Sequence, residues 1–184
     1  MLILAYRYIF DSEATRNCHN EEGYFKTGDI ARKEGDHYFI MGRASVDIIK
    51  SGGYKISALD IERECLGLPY IEEVICIGVE DEEFGQRVAA AVKLREDQNI
   101  YASGPNKAGR KLTIDGIRND LRGRLAGYKL PTLLRVLDSE LPKTASGKVQ
   151  KKLLGPQLFP HPGWERVPEI QVWRNRTAEI MAKL

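Results

Sequence analysis

Apolar residues recur in the middle of the chain with the period of a helix. Ile61, Cys65 and Leu68 follow each other at the spacing of one helical face. Ser57 precedes them and, together with Asp60, resembles the capping box that begins many helices. This segment therefore predicts an amphipathic helix from Ser57 that packs its apolar face on a sheet.

Two segments after this helix have the pattern of strands. Val74 to Val79 is a nearly continuous apolar run, and Arg87 to Leu94 places apolar residues on one face. The acidic stretch Glu80 to Glu83 between them predicts a turn that joins an antiparallel pair. Further short strands are predicted at Val46 to Lys50 and at Leu133 to Leu137.

A second amphipathic helix is predicted to begin near Thr113 and to end at Gly127. Before it, residues 97–111 are rich in Gly, Asn, Lys and Ser, which indicates a flexible surface insertion. The order strand, helix, two strands, helix, strand predicts a small α+β domain with helices packed on a short sheet. The apolar face expected for the second helix consists of Ile114, Ile117, Leu121 and Leu125.

The two ends of the chain have different patterns. Residues 1–42 mix aromatic and polar positions without a helical period, which predicts short strands and loops. The apolar stretch at residues 1–10 is too short to span a membrane, and we interpret it as a strand or core segment. Beyond Leu154 several prolines occur, and a final helix is predicted from about Glu169, with an apolar stripe that packs on the domain.

The amino-acid composition indicates where in the cell the protein works more clearly than what it does. Charged residues make up 29% of the 184 residues and nearly cancel to a net charge of +2. No global field therefore indicates binding to nucleic acid or to a membrane surface. Cys18, Cys65 and Cys76 are scattered, which is typical of reduced thiols in the cell interior. The cysteines and histidines lack the spacing of a zinc site, so no metal site is predicted.

Three glycine-containing motifs follow each other along the chain. They are TGD at Thr27–Asp29, GRASVDIIKSGGYKIS at Gly42–Ser57 and LPKTASGKVQKK at Leu141–Lys152. Each one alone is typical of a loop, a turn or a solvated basic face. The third motif is not a phosphate-binding P-loop, because Pro142 replaces the upstream glycine and Val149 replaces the Mg²⁺-binding Ser or Thr.

In this order, the three motifs resemble the C-terminal motifs of the adenylate-forming superfamily, which includes acyl-CoA synthetases, luciferases and the adenylation domains of peptide synthetases. The segments GVEDEEFGQRVAAAV (residues 78–92) and LAGYKLP (residues 125–131) resemble further parts of the same family. Residues 43–62 are similar to the subgroup of malonyl-CoA synthetases and the related mitochondrial acyl-CoA synthetase, acyl-CoA synthetase family member 3.

The resemblance implies a division of the chain into three parts. Residues 1–42 correspond to a remnant of the large domain that ends at the hinge, and residues 43–155 to the mobile C-terminal domain. Residues 156–184 form a tail with the predicted final helix. The tail closes with Ala182-Lys183-Leu184, a close variant of the peroxisomal import signal. It predicts a peroxisomal location and the import receptor as a partner, with the cytoplasm as the default.

The resemblance also implies a role for each motif. Asp29 would accept hydrogen bonds from the ribose hydroxyls of ATP, and Arg43 would lie beside the nucleotide at the domain junction. Lys148 would supply the positioned cation that catalyses adenylation, because a carboxylate has to approach an anionic phosphate. The residues implied for the coenzyme A face, used for thioester formation, are Lys50, Gly52, Gly53 and Lys55.

A hinge is implied as well, because the family's C-terminal domain swings after adenylation. Many relatives place an acid or a lysine two residues after the arginine, where this chain has Ser45. Asp47 follows two residues later, and Ser45, Val46 and Asp47 all stay open as the pivot. The basic neighbours of Lys148 that we interpret as solvated or structural charges are Lys143, Lys151 and Lys152.

These motifs predict part of an AMP-forming acid–CoA ligase, which activates a carboxylic acid with ATP and transfers it to coenzyme A. Malonate or a fatty acid is the expected substrate. The family's phosphate loop, acyl pocket and Mg²⁺-binding glutamate belong upstream, so we expect little activity from this chain alone. Two alternatives stay open: an adenylation domain that loads a carrier protein, and a stand-alone binding or regulatory module of the same fold.

Overall fold

A computed structural model of the chain describes residues 7–96 and 111–174. Its helices are α1 (Ser12–Asn17), α2 (Ala58–Leu66), α3 (Ile114–Leu121) and α4 (Lys151–Leu158). Its strands are β1 (Asp29–Glu34), β2 (His37–Arg43), β3 (Ile48–Ser51), β4 (Tyr54–Ser57), β5 (Ile71–Asp81), β6 (Gly85–Leu94), β7 (Leu133–Leu137) and β8 (Ile170–Val172). Among these residues, no helix has the length and apolar character needed to cross a membrane.

The strands form two sheets of unequal size. β1 and β2 pair with each other in antiparallel orientation as a separate hairpin. The remaining six strands form one sheet, in which β4, β3, β6, β7 and β8 follow in this order and β5 pairs with β6. The β5–β6 pair is antiparallel and runs from Ile71 opposite Leu94 to Asp81 opposite Gly85. β7 joins β6 in parallel orientation, so the large sheet is mixed.

The large sheet is buried on both faces, and β6 lies at its centre. Alternate residues from Val88 to Leu94 pack in one apolar cluster with α2 and α3. Ala89 and Ala91 point to the opposite face, where they share a second cluster with Leu154 of α4. We call residues 43–174 the main domain, and residues 7–42, which contain α1 and most of the β1–β2 hairpin, the N-terminal region. The main domain is thus an α+β sandwich of helices around one sheet.

Several predicted elements are confirmed. The Ser57 hydroxyl accepts a hydrogen bond from the Asp60 N–H at 3.2 Å and caps α2, whose residues Ile61 and Cys65 are fully buried. The antiparallel pair predicted around 74–79 and 87–94 is present, although both strands are longer. β7 has the predicted bounds.

The second helix begins as predicted but ends earlier. Thr113 caps α3 by accepting a hydrogen bond from the Gly116 N–H at 3.1 Å. The helix ends at Leu121 rather than at Gly127, because Arg122 is extended and the next residue, Gly123, has a left-handed φ of 86°. Gly127 instead begins a short 3₁₀ turn.

The prediction for the first residues was incomplete. α1 is a six-residue helix that the lack of a helical period did not predict, and Asp11 caps it by accepting the Ala14 N–H at 2.8 Å. Tyr8 to Phe10, expected in a strand or core, lie in an exposed turn, because no buried layer of the described N-terminal region covers them. The six residues before Arg7 lie outside the described part.

The predicted final helix was wrong where the structure describes the chain. Residues 170–172 form β8, which pairs with β7 in antiparallel orientation, because the free edge of β7 offers backbone partners to this β-forming stretch. Phe159 and Trp164 are buried in the second apolar cluster, so this segment is part of the sandwich and not a separate tail. Residues 97–110 of the predicted insertion and residues 175–184 lie outside the described residues.

Candidate functional site

Lys148 stands on an exposed loop between β7 and α4. The Thr144 N–H donates to the Lys148 carbonyl at 2.9 Å, and the Gly147 N–H donates to the Thr144 carbonyl at 2.8 Å. Gly147 has a φ of 76°, a conformation that glycine adopts without strain. Within the described residues, no ion pair or hydrogen bond engages the Lys148 ammonium. The loop therefore presents a cation that is accessible to an anionic ligand.

The base of this loop is anchored although its tip is exposed. The Leu141 N–H donates to Glu73 of β5 at 2.8 Å, and the Lys143 ammonium forms a salt bridge with the same carboxylate. The hydrogen bond to Glu73 raises the pKa of Lys143. Lys143 also pairs with Val149 across the loop as an isolated β-bridge. Lys143 is therefore a structural charge, in line with its sequence interpretation.

Asp29 and Arg43 lie opposite each other at the open end of the β1–β2 hairpin. Arg43 Nε is 3.8 Å from Asp29 Oδ1, and the two side chains are 68% and 40% exposed. An ion pair this exposed contributes little to stability, so both groups are accessible to a ligand. The fold thus brings together the two residues that the motifs predict for the nucleotide.

Residues 43–47 form a tight turn between β2 and β3. The Arg43 carbonyl accepts the Val46 and Asp47 N–H groups at 3.2 and 2.9 Å. Asp47 Oδ2 in turn accepts the Arg43 N–H at 3.0 Å. Gly42 has a φ of 117°, and a Cβ there would lie 2.5 Å from the Asp47 Cβ, so only glycine allows this approach. Asp47 is buried, whereas Ser45 is exposed.

Beneath this turn lies an ion cluster of Asp47, Glu62 and Lys151. Lys151 Nζ is 2.7 Å from Asp47 Oδ1 and 2.8 Å from Glu62 Oε1. Burial raises the pKa of Glu62, and Lys151 offsets this in part. Burial by itself lowers the pKa of Lys151, but the Glu62 and Asp47 carboxylates outweigh this effect, so the pKa is raised overall. Lys151 is therefore a structural charge, and sequence reasoning missed Glu62 as its partner.

The β3–β4 hairpin carries the residues expected to face coenzyme A. Gly52 and Gly53 both have left-handed φ values, 55° and 82°, as a two-residue hairpin turn requires. Lys50 lies directly opposite Lys55, and both are exposed. Among the described residues, no carboxylate forms a salt bridge with either of these lysines. Like charges in this position destabilise a hairpin, and an anion between them would remove that cost.

A cavity of about 760 Å³ opens beside this hairpin. Tyr54 of β4 stacks on Tyr128 at its rim, with ring centroids 4.2 Å apart. Deeper in the wall, the Arg118 guanidinium lies 3.7 Å from the centroid of the Trp173 ring and donates to the Leu130 carbonyl at 3.1 Å. Burial lowers the pKa of Arg118 to about 10. Sequence reasoning missed these wall residues, because only the fold brings them together.

The predicted site residues therefore form two groups. Asp29 and Asp47 each contact Arg43, and Asp47 also bonds to Lys151, the first residue of the helix that follows Lys148. Lys50 and Lys55 form the second group, and no hydrogen bond or ion pair of the described residues connects them with Lys148. Over the same residues, no three His, Cys, Asp or Glu side chains are close enough to hold a metal ion.

Comparison with known sequences gives consistent matches. Residues 60–148 match the family described as AMP-binding enzyme C-terminal domain. The mitochondrial malonate–CoA ligase ACSF3 of Mus musculus is 43% identical over 80% of this chain and 23% of that protein. A CoA ligase of Gibberella moniliformis is 35% identical over 96% of this chain and 29% of its own length. The chain thus spans about a quarter of the length of these curated relatives.

Solved structures give the same match. ATP-bound MatB from Rhodopseudomonas palustris superposes with a TM-score of 0.65 and 29% identity, over 81% of this chain and 27% of that one. The o-succinylbenzoate CoA synthetase MenE from Bacillus subtilis, in complex with its acyl-adenylate OSB-AMP, superposes with a TM-score of 0.66. It is 27% identical over 81% of this chain and 28% of that one.

Proposed function

The chain belongs to the AMP-binding, adenylate-forming enzymes and carries their C-terminal domain, and we propose that it serves as the mobile C-terminal domain of an AMP-forming acid–CoA ligase. In the first step, a substrate carboxylate attacks the α-phosphate of ATP and releases pyrophosphate. In the second, the coenzyme A thiol attacks the acyl carbon of the adenylate, loses its proton and releases AMP. The observation that carries the proposal is the exposed ammonium of Lys148, which stands on an anchored loop of this fold and has no ion pair or hydrogen bond within the described residues.

Lys148 has the properties that the first step needs. The attacking carboxylate and the α-phosphate are both anions, so their approach is opposed by charge repulsion. A cation held at the developing charge lowers this barrier, and a fixed one costs no reorganisation during the reaction. The anchored base of the loop holds the Lys148 backbone, while the exposed side chain is able to enter a site formed with another domain.

Asp29 and Arg43 are proposed to bind the nucleotide. The Asp29 carboxylate accepts hydrogen bonds and matches the two hydroxyls of a ribose, whereas the forked Arg43 guanidinium matches ribose and phosphate oxygens. Their present contact, at 3.8 Å and well exposed, is weak enough for a ligand to replace.

The β3–β4 hairpin is proposed to bind coenzyme A in the second step. Gly52 and Gly53 have no side chains to obstruct a pantetheine arm, so their backbone is open to close approach. Lys50 and Lys55, which lie opposite each other, offer two cations to phosphate groups, and neither forms a salt bridge in the part of the chain that the structure describes. The absence of bonds between this hairpin and Lys148 within the described residues fits two half-reactions that use different surfaces.

Ser45 is the pivot that we propose for the change between these surfaces. Asp47 is buried and bound to Lys151, so it moves with the main domain. Ser45 is exposed, and none of the described hydrogen bonds involves its side chain. Rotation at Ser45 would break the hydrogen bonds between Arg43 and residues 46 and 47, but it leaves the buried ion pair of Asp47 and Lys151 intact.

The substrate and setting are proposed only from similarity and from the C-terminal sequence. Relatives that include those of Mus musculus and Arabidopsis thaliana are named malonate–CoA ligases, which favours malonate over a fatty acid. Mg²⁺ is proposed to be held outside the described residues, with the nucleotide. Peroxisomal import rests on Ala182-Lys183-Leu184, and a fluorescent reporter that carries this tail and stays in the cytoplasm would refute it.

A domain exchange tests the proposed function. The C-terminal domain of Rhodopseudomonas palustris MatB is replaced by residues 43–184 of this chain, and malonate-dependent ATP–pyrophosphate exchange and malonyl-CoA formation are measured. We expect both activities. Lys148→Ala should lower the exchange by about 10²–10³-fold and spare thioester formation from preformed malonyl-adenylate, while Lys152→Ala, a neighbouring exposed lysine, should have little effect.

Other outcomes would favour the alternatives. Transfer of malonate to a carrier protein but not to coenzyme A would identify a carrier-loading domain. A chimera that is inactive, or one that Lys148→Ala does not impair, would favour a binding module, provided that MatB with its own domain is active in parallel. ATP- and acid-dependent release of AMP by the 184-residue chain alone would refute the expectation that it needs a large domain.

A further inference from the structure

The ion cluster of Asp47, Glu62 and Lys151 joins segments that are far apart in the sequence. Asp47 and Lys151 are separated by 104 positions, yet their charged atoms are 2.7 Å apart. The three side chains are only 12–13% exposed. Removal of one partner from such a group leaves an unpaired charge away from water, so the three segments have to stay together in the folded domain.

Each carboxylate accepts a further hydrogen bond that leads out of the cluster. Asp47 Oδ2 accepts the Arg43 N–H at 3.0 Å, which fixes the backbone of the proposed nucleotide residue. Glu62 Oε1 accepts the Cys76 N–H of β5 at 2.6 Å, which fixes the cluster to the central sheet. The cluster therefore lies between the Arg43 turn and the rigid part of the main domain.

Lys151 is also the first residue of α4 and follows Lys148 by three positions. α4 packs closely on β5, since a Cβ on Gly155 would lie 3.2 Å from the Ile77 side chain. The loop that carries Lys148 leads directly into this helix. The position of Lys151 consequently sets where the loop returns to the domain.

Stability alone does not account for an ion cluster here. Apolar side chains of similar volume commonly stabilise a protein as well as a buried ion pair does, or better. An ammonium that bonds two carboxylates does restrict direction and distance, because charge-assisted hydrogen bonds are short and oriented. A cluster that connects two proposed nucleotide-binding segments fits a requirement for their relative position.

We propose that Lys151 is a positioning residue, which ties the turn that carries Arg43 to the loop that carries Lys148. The inference rests on the proposed function, because that function brings both cations to the same nucleotide. Through Asp47, Lys151 holds the Arg43 backbone, and through the start of α4 it holds the base of the Lys148 loop. Before the proposed rotation at Ser45, the two cations are thus presented to ATP as one preformed unit.

Backbone amide exchange of the 184-residue chain, followed by NMR, tests this connection through Lys151 without an activity assay. In K151M the Arg43 amide should exchange at least about tenfold faster, while amides of β6 change less than about threefold. K151R keeps the charge and should restore protection, and K152M, the matched change at the neighbouring lysine, should leave Arg43 as it is. A wild-type rate at Arg43 in K151M, or a uniform acceleration of all amides, would overturn the proposal.

A second variant covers the case in which K151M does not fold. D47N keeps the bond between Lys151 and Glu62, so the buried ammonium stays paired. Its amide resonances at Gly147 and Lys148 should shift although the change is about 100 positions away in sequence. Unchanged resonances at these two residues would refute the tie.

The MatB chimera tests whether the connection through Lys151 affects catalysis. K151M should lower kcat for adenylation by about tenfold, with KM for ATP changed by less than about threefold, and K151R should recover kcat. An active chimera whose kcat does not respond to K151M refutes the positioning role. Loss of the Lys148→Ala effect instead refutes the proposed function, so the two failures are distinguishable.

Discussion

The N-terminal region and the main domain differ in where they place apolar side chains. In the main domain, apolar residues fill two clusters, one on each face of the large sheet. In the N-terminal region, both strands of the hairpin are largely exposed, and Ile30, Tyr38, Phe39 and Ile40 are each more than 40% exposed. The main domain thus has its own core, whereas the N-terminal region lacks one within the described residues.

This difference indicates what each region needs. A sheet with two covered faces buries enough apolar surface to fold as a unit. A two-stranded hairpin is at best marginally stable in water, and exposed apolar patches commonly mark a surface that another part covers. The contrast fits the proposed boundary near residue 43, with the N-terminal region as part of a larger neighbouring domain.

Truncation of one buried and one exposed isoleucine should give the largest contrast. Ile61→Ala in α2 removes a fully buried side chain and should lower the free energy of unfolding by about 2–5 kcal/mol. Ile40→Ala, at a position that is 64% exposed, should change it by less than about 0.5 kcal/mol. Urea denaturation of both variants measures this, and equal losses would contradict the assignment of the core to the main domain.

Acid should reveal a difference between the ion pairs of the two regions. Burial by itself raises the pKa of Asp81, but the hydrogen bond from Arg87 outweighs this effect and lowers the pKa below 3.8. The native state therefore binds its proton less readily than the unfolded state, and the stability from this pair is lost as the pH falls below that value. Asp81→Asn should cost about 1–3 kcal/mol at pH 7 and should flatten the loss of stability below pH 4.

The matched variant in the N-terminal region is Glu34→Gln, since Glu34 pairs with Arg32 while both remain more than half exposed. This change should alter the free energy of unfolding by less than about 0.5 kcal/mol at any pH. Urea denaturation between pH 7 and pH 2.5 measures both variants. A steeper acid dependence in Asp81→Asn than in the wild type would contradict the lowered pKa.

Helix caps should give the smallest contrast. Ser57→Ala removes the cap of α2, and we expect a loss of about 1 kcal/mol in global stability. Asp11→Ala removes the equivalent cap of α1, but this helix contains no buried residue, so its fraying should leave the global transition unchanged. Thermal unfolding followed by circular dichroism compares them, and a lower midpoint for Asp11→Ala would show that the N-terminal region unfolds together with the main domain.

Elements with a strong local signal were predictable. α2 combines a serine cap with apolar residues at helical spacing, and β5 and β6 combine apolar runs with an acidic turn, so short-range information was sufficient. α1 and α4 were missed because one is short and the other contains Pro156, which breaks the usual helix pattern. β8 was predicted as a helix because its apolar residues fit a helical stripe, whereas the edge of β7 decides its conformation.

The candidate site also contains some residues that the sequence could predict and others that it could not. Asp29, Arg43 and Lys148 could be predicted as site residues from the sequence, because each lies in a short motif whose order along the chain is informative. The Gly52-Gly53 turn was found as well, since two adjacent glycines favour the left-handed conformations that a two-residue hairpin requires. The sequence indicated only that Lys151 is a solvated or structural charge, and its bonds to Asp47 and Glu62 were not accessible.

The fold changes the interpretation of that lysine. Lys151 lies between Asp47 and Glu62 only because α4 packs against β5 and the Arg43 turn folds back over α2. The distance between these segments along the chain carries no local signal, and the strength of their bonds depends on burial, which a sequence does not contain. Motif chemistry is thus encoded locally, whereas the arrangement that holds the cations together arises from packing of the whole domain.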